Sequence, residues 1–138
     1  MSERPLPVVR VWRWWCGFGA VTAGAGYLSA LAYREGLPAI FQLVPQFDKV
    51  VHFTTAGLLA FFLDGALRRR TAFSIDGRAI SVAALVILVP AGVEEYLQRF
   101  STYRTSSIWD FVADLLGVLV FIPLSRRFTP LPKVAQVE

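Results

Sequence analysis

No Asp, Glu, Lys, Arg or His lies between Arg13 and Arg34, which leaves residues 14–33 as an unbroken uncharged run. At about 1.5 Å per residue such a run makes roughly 30 Å of helix, the thickness of one hydrocarbon core. Three further runs repeat the pattern. The second covers about 48–67, where Lys49 and Asp64 bracket a stretch whose one ionisable side chain is His52. The third covers about 79–98 and carries no charge before Glu94, and the fourth covers about 107–125 and carries none after Asp114. With 55% hydrophobic residues and a mean hydropathy of +0.52, the chain is more apolar than a soluble domain of this size normally is. The expected fold is an all-α membrane protein of four transmembrane helices, a single domain over residues 1–138. One cysteine, Cys16, and one histidine exclude a disulfide framework, a CxxC redox pair and a zinc finger, so no metal is expected.

The basic residues predict an orientation. Lys and Arg number three before the first run, then two, four and two in the successive loops, and three after the last run. By the positive-inside rule, both termini and the Arg68-Arg69-Arg70 loop are cytoplasmic. The net charge of +4 therefore belongs to one membrane face, where it meets anionic lipid, and no nucleic-acid partner is expected. Trp12, Trp14 and Trp15 form an interfacial anchor beside Arg10 and Arg13. The first run ends in Ser29-Ala30-Leu31-Ala32, which resembles a signal-peptidase site, but the reading kept is an uncleaved span. Its small residues Gly17, Gly19, Ala20, Ala23, Gly24 and Gly26 suit close packing inside the bundle. Asp76-Gly77 marks a turn, Ala39 to Val44 an apolar stretch along the membrane surface, and the segment after Arg127 a mobile tail.

Polar residues within or beside these runs carry the functional signal, because a carboxylate at the bilayer centre costs roughly 2.5–3.5 kcal/mol and needs a partner or water. Asp48 and His52 stand four residues apart on one helical face. Glu95 and Gln98 are three apart near the end of the third run, and Asp110, Asp114 and Gly117 share a face of the fourth. All three groups fall at the outer-leaflet ends of helices 2 to 4. Arg104, in the connecting loop, is expected within reach of Glu95, Asp110 or Asp114. Individual members also have structural readings. Asp48 can cap its helix, and Ser107 with Asp110 fits a capping box. Glu94 can reach the interface beside Arg99, and Pro90 can kink the third helix. Capping does not explain Asp114, two turns inside its helix.

DKVVHF at 48–53, EYLQRF at 95–100, Arg104 and DFVADLLG at 110–117 resemble the VanZ-like family of small bacterial membrane proteins, whose pattern is roughly DKxxHF, ExxQ, an Arg and DxxxNxxG. The resemblance covers about residues 45–125 and singles out Asp48, Lys49, His52, Glu95, Gln98, Arg104, Asp110 and Gly117. Asp114 replaces the family's Asn, and Ala56 stands where an aromatic residue often follows the histidine motif. The resemblance implies a multi-pass protein of the bacterial inner membrane, with a role of the glycopeptide-resistance type.

Three functions fit these residues. The first is a non-enzymatic envelope protein whose outer-leaflet pocket, built from Asp48, Lys49, His52, Glu95, Gln98, Arg104, Asp110 and Asp114, binds an amphiphile or lipid headgroup. The second is an accessory subunit of a larger membrane assembly, partnered by other membrane proteins. The third is an acid/base enzyme acting on a lipid-linked substrate through His52 with Glu95 or Asp114. No nucleophile or metal triad accompanies that pair, so the enzyme ranks behind. No cofactor is expected, a pigment or haem on His52 being the one candidate. The basic-residue count predicts that alkaline phosphatase fused after Glu138 stays inactive in cells, and an active fusion would invert the orientation.

Overall fold

The computed structural model describes residues 11–34, 45–101 and 107–128. Among them are four helices, α1 (Val11–Arg34), α2 (Phe47–Ala66), α3 (Val82–Gln98) and α4 (Ile108–Phe128), and two strands, β1 (Thr71–Ile75) and β2 (Arg78–Ser81), between α2 and α3. The strands correct the all-α expectation. They pair antiparallel, with Ile75 opposite Arg78 across the Asp76-Gly77 turn. Both turn residues have positive φ (49° and 75°), the backbone that a tight two-residue hairpin requires and that an Asp-Gly pair supplies readily. The β-branched and aromatic residues Thr71, Phe73, Ile75 and Ile80 then favour strand over helix in so short a segment.

The hairpin shortens the third helix. Residues 79–81 belong to β2, and Ser81 opens α3 by accepting the Ala83 N–H at 3.1 Å. The 17 residues left reach about 25 Å. Among the described helices, α4 alone is both long and apolar enough to cross a membrane by length and composition. Length and composition therefore carry one span, not the four expected. The hairpin truncates α3, α2 includes Asp48, Lys49 and Asp64, and α1 holds glycine, tryptophan and arginine where large aliphatic residues would raise its hydropathy.

Contacts between the helices give an up-down-up-down arrangement. Trp14 and Gly17 of α1 meet Gly65 and Phe62 near the end of α2, so these two helices are antiparallel. Ser81 reaches Asp64 late in α2, and Glu95 near the end of α3 meets Ser107 just before α4, so α3 returns. Thus α2 and α4 run parallel, and among the described helices they pack most closely. A Cβ on Gly117 would stand 2.1 Å from the Phe53 carbonyl oxygen and 3.0 Å from the Gly57 nitrogen, while one on Gly57 would meet the Phe121 ring at 2.5 Å. Gly19, Gly24 and Gly26 have no such neighbour within 4 Å, which corrects the expectation that the small residues of α1 all pack inward. That helix packs on α2, reaches α3 through Ser29, and leaves the face of Gly19, Gly24 and Gly26 open among the described residues.

The core is built largely from small side chains. Ala56, Ala60, Ala66, Ala83 and Ala113 are buried beside Leu63, Ile87, Val118 and Ile122. Larger apolar groups such as Val89, Leu116, Leu119, Val120 and Phe128 point outward and are exposed. Gly117→Ala is expected to destabilise the protein by about 2 kcal/mol or more, since the new methyl must push α2 and α4 apart. Gly24→Ala should be neutral or stabilising by up to about 1 kcal/mol. Thermal melts of both variants check the contrast.

Candidate functional site

The three polar groups expected to converge do so at the end of the bundle where α2 and α4 begin and α3 ends. Lys49 Nζ donates to Asp48 Oδ2 at 3.1 Å and to Asp110 Oδ1 at 3.2 Å, which joins the first turns of α2 and α4. One turn further in, His52 Nδ1 lies 3.1 Å from Asp114 Oδ1 and 3.3 Å from Oδ2. With Asp114 ionised, the proton of this bond sits on Nδ1. The Asp110 and Asp114 side chains are 5% and 8% exposed, so both carboxylates are nearly withdrawn from water and each keeps a cationic or donor partner from α2. Helical spacing places Asp110 and Asp114 on one face; the Gly117 crossing brings that face onto Lys49 and His52.

Three structural readings of the sequence are corrected here. The residue capping α2 is Gln46, at φ 64° and without a side-chain cap bond, so Asp48 lies inside the first turn and pairs with Lys49. The capping box before α4 is also rearranged. The Ser107 N–H donates to the Glu95 carboxylate of α3, while Asp110, which would take that donor in a capping box, turns to Lys49. Glu94 accepts the Ser29 hydroxyl of α1 at 3.0 Å, and Arg99 lies 5.6 Å from the Tyr96 ring centroid, so the expected Glu94–Arg99 neighbourhood gives way to contacts on separate sides of α3. Arg104, Arg10, the Ala39 to Val44 stretch and the segment from residue 129 onward lie outside the described residues.

A cavity of about 250 Å³ opens between α1, α2, α3 and α4 at this end. Asp48, His52, Glu94, Glu95, Gln98 and Asp114, with the hydroxyl residues Ser29 and Thr55, are its polar lining, and Leu28, Leu59, Val86 and Ile87 are among its apolar lining. Lys49 and Asp110 stand outside that lining. Pro90 also borders the cavity; having no N–H, it leaves the Val86 carbonyl without its usual helical donor. Gln98 is the anomaly of the site. It is 1% exposed, and among the described residues neither its amide nitrogen nor its amide oxygen has a hydrogen-bond partner. An unsatisfied buried polar group costs about 1–3 kcal/mol, and both atoms of this amide are in that position.

At the opposite end the structure reveals a cluster that the sequence reading passed over. Asp64 is fully buried and accepts the Ser81 hydroxyl at 2.7 Å and the Ser125 hydroxyl at 2.8 Å, with Arg126 Nε at 3.5 Å. It is sixteen residues along α2 from Asp48, about 24 Å away, and so belongs to a different site. The signal in the sequence is an acid inside an apolar run, which must find donors if buried. Those donors sit 17 and 61 residues away, beyond the reach of local pattern. Because its partners are the cap of α3 and the last turn of α4, Asp64 ties three segments together and has no opening onto the cavity.

No family model matches the chain, and no solved structure matches it. An uncharacterized protein of the fission yeast Schizosaccharomyces pombe is 39% identical to it over 90 residues, which is 63% of this chain and 48% of the relative. The chain thus spans about half the length of the curated relative it matches. These findings overturn the resemblance to the VanZ-like family: no family model supports it, and the relative comes from a eukaryote. The bacterial inner membrane and the glycopeptide-resistance role rested on that resemblance and fall with it. The motif blocks are short, and helix ends facing one another across a bundle select Asp, His, Glu and Arg for physical reasons that unrelated chains share.

Asp64→Ala is expected to cost roughly 3 kcal/mol, because it opens a cavity and takes the carboxylate acceptor from the buried Ser81 hydroxyl, from Arg126 and from Ser125, which keeps the Ile122 carbonyl. Asp64→Asn, which keeps an acceptor, should cost less than half as much. Equal losses in urea unfolding would show that Ser81 and Ser125 contribute nothing through this contact.

Proposed function

We propose that this chain is a multi-pass membrane protein of four helices whose cavity binds the polar headgroup of an amphiphile. The observation that carries the reading is the cavity itself: an imidazole, four carboxylates and an unpartnered, buried amide at one end of an otherwise apolar bundle. A monomer in water would gain nothing by burying that set, whereas a ligand supplies the missing hydrogen bonds. The membrane setting is supported by the distribution of side-chain size. Alanine fills the interior while valine, leucine, tryptophan and phenylalanine cover the outside, the reverse of what water selects and what close helix packing in lipid favours. The start of α1 and the end of α4 lie at the same end of the bundle, which supports a reading with both on one face of the membrane.

The open face of α1, with Gly19, Gly24 and Gly26 free of neighbours, supports a second reading as an accessory subunit that packs against another membrane protein. One preparation separates the two. The expressed chain should stay with the membrane after alkaline carbonate extraction. Native mass spectrometry from mild detergent should then show a bound amphiphile that Ala91→Phe, which fills the cavity, removes without loss of fold. A chain released by carbonate would overturn the membrane setting. A monomer with no adduct would overturn the pocket, and a stoichiometric protein partner in its place would favour the subunit.

A further inference from the structure

The chemistry of the lining narrows the headgroup. Four carboxylates, those of Asp48, Glu94, Glu95 and Asp114, border the cavity, and His52 is the one basic side chain among its described lining residues. Lys49, one turn before His52 on α2, turns to Asp48 and Asp110. An anionic headgroup would therefore enter against the prevailing charge, and a cation would enter with it. The described lining residues include no Phe, Tyr or Trp. A quaternary ammonium, which has no N–H and is held by aromatic faces, finds no such face among them. Oxygen acceptors are plentiful instead, and the buried Gln98 amide adds an acceptor with no partner of its own. Carboxylates and amide oxygens are suited to a group that donates several N–H bonds.

The cavity also grades from polar to apolar along its length. Leu59 is seven residues deeper along α2 than His52, about 10 Å, and Val86 and Ile87 lie correspondingly deep on the returning α3. At about 250 Å³ the space suits a headgroup and the first part of one chain, not a whole lipid.

From this arrangement, and resting on the pocket reading above, we propose that the cavity selects a primary ammonium group carried on an alkyl chain, with the nitrogen among Gln98, Glu94 and Asp114 and the chain toward Leu59 and Ile87. An amine-headed membrane lipid and a free long-chain amine share this chemistry. The test uses the full chain in a neutral detergent and titrates octylamine, octyltrimethylammonium and octanoate by calorimetry. Phosphatidylethanolamine and phosphatidylcholine of matched acyl chains are compared by native mass spectrometry. Octylamine should bind about tenfold or more tightly than its trimethylated analogue, because a site built for N–H donors is left unpaired by the methylated group. Octanoate should bind more weakly still.

Gln98→Leu removes an amide that has no partner among the described residues, so it should keep or raise the melting temperature while weakening octylamine about tenfold. Glu94→Gln provides a second variant with the same expectation for binding, should Gln98→Leu fail to fold. Preference for phosphatidylethanolamine over phosphatidylcholine identifies the lipid as the source, and octylamine selectivity without it identifies a free amine. Equal binding of the trimethylated probe, or tighter binding of octanoate, overturns the ammonium assignment and leaves the pocket standing. Absence of binding by every probe, with no adduct in the purified protein, overturns the pocket as well.

Discussion

Gly117 of α4 lies so close to the Phe53 carbonyl of α2 that no side chain fits between them, and the polar architecture is registered by this contact. Asp114 and Asp110 are three and seven residues before Gly117, on the face it turns to α2. Once the backbones touch, those carboxylates stand opposite His52 and Lys49, the residues just before Phe53 on the same side of their helix. Further along the same parallel pair, Phe121 closes on Gly57, and Ser125 reaches Asp64. One backbone contact thus sets the register for ion pair, imidazole, aromatic contact and buried carboxylate in turn.

The two polar ends of the bundle differ in what remains unsatisfied. At the Asp64 end, each carboxylate oxygen accepts a buried hydroxyl, and the donors come from segments that must be held together, so the group is accounted for by stability. At the other end, His52, Asp114, Glu95 and Glu94 all make contacts, yet a cavity remains and Gln98 has none for its amide. A core selected for stability alone would place leucine at that position. The difference between a closed and an open hydrogen-bond inventory is what separates a structural clamp from a candidate binding site.

Helix length and helix surroundings give different accounts of the membrane. Taken singly, α4 alone among the described helices is long and apolar enough to cross. Taken together, the helices bury alanine and show lipid-sized side chains to the outside, a property of the assembly that no single segment displays. Polar residues that disqualify α2 as an isolated span are the ones that α4 and β2 neutralise. A helix carrying Asp48, Lys49 and Asp64 is costly alone in lipid and much less so in a bundle that pairs all three.

By itself the sequence determined the approximate limits of the four helices among the described residues, because charge-free runs and helical spacing are local properties. It also determined that Asp110 and Asp114 share a face, and that Asp76-Gly77 turns the chain. Tertiary structure decided the rest. The hairpin around that turn was not legible because strand pairing depends on residues across it. Asp64's partners were hidden because they lie 17 and 61 residues distant. The capping box was rewritten because Glu95 arrives from another helix with the carboxylate that Ser107 needs. Local pattern says which residues must find partners; only the packing of one helix against another, where backbone contact at Gly117 leaves one register available, says which partners they find.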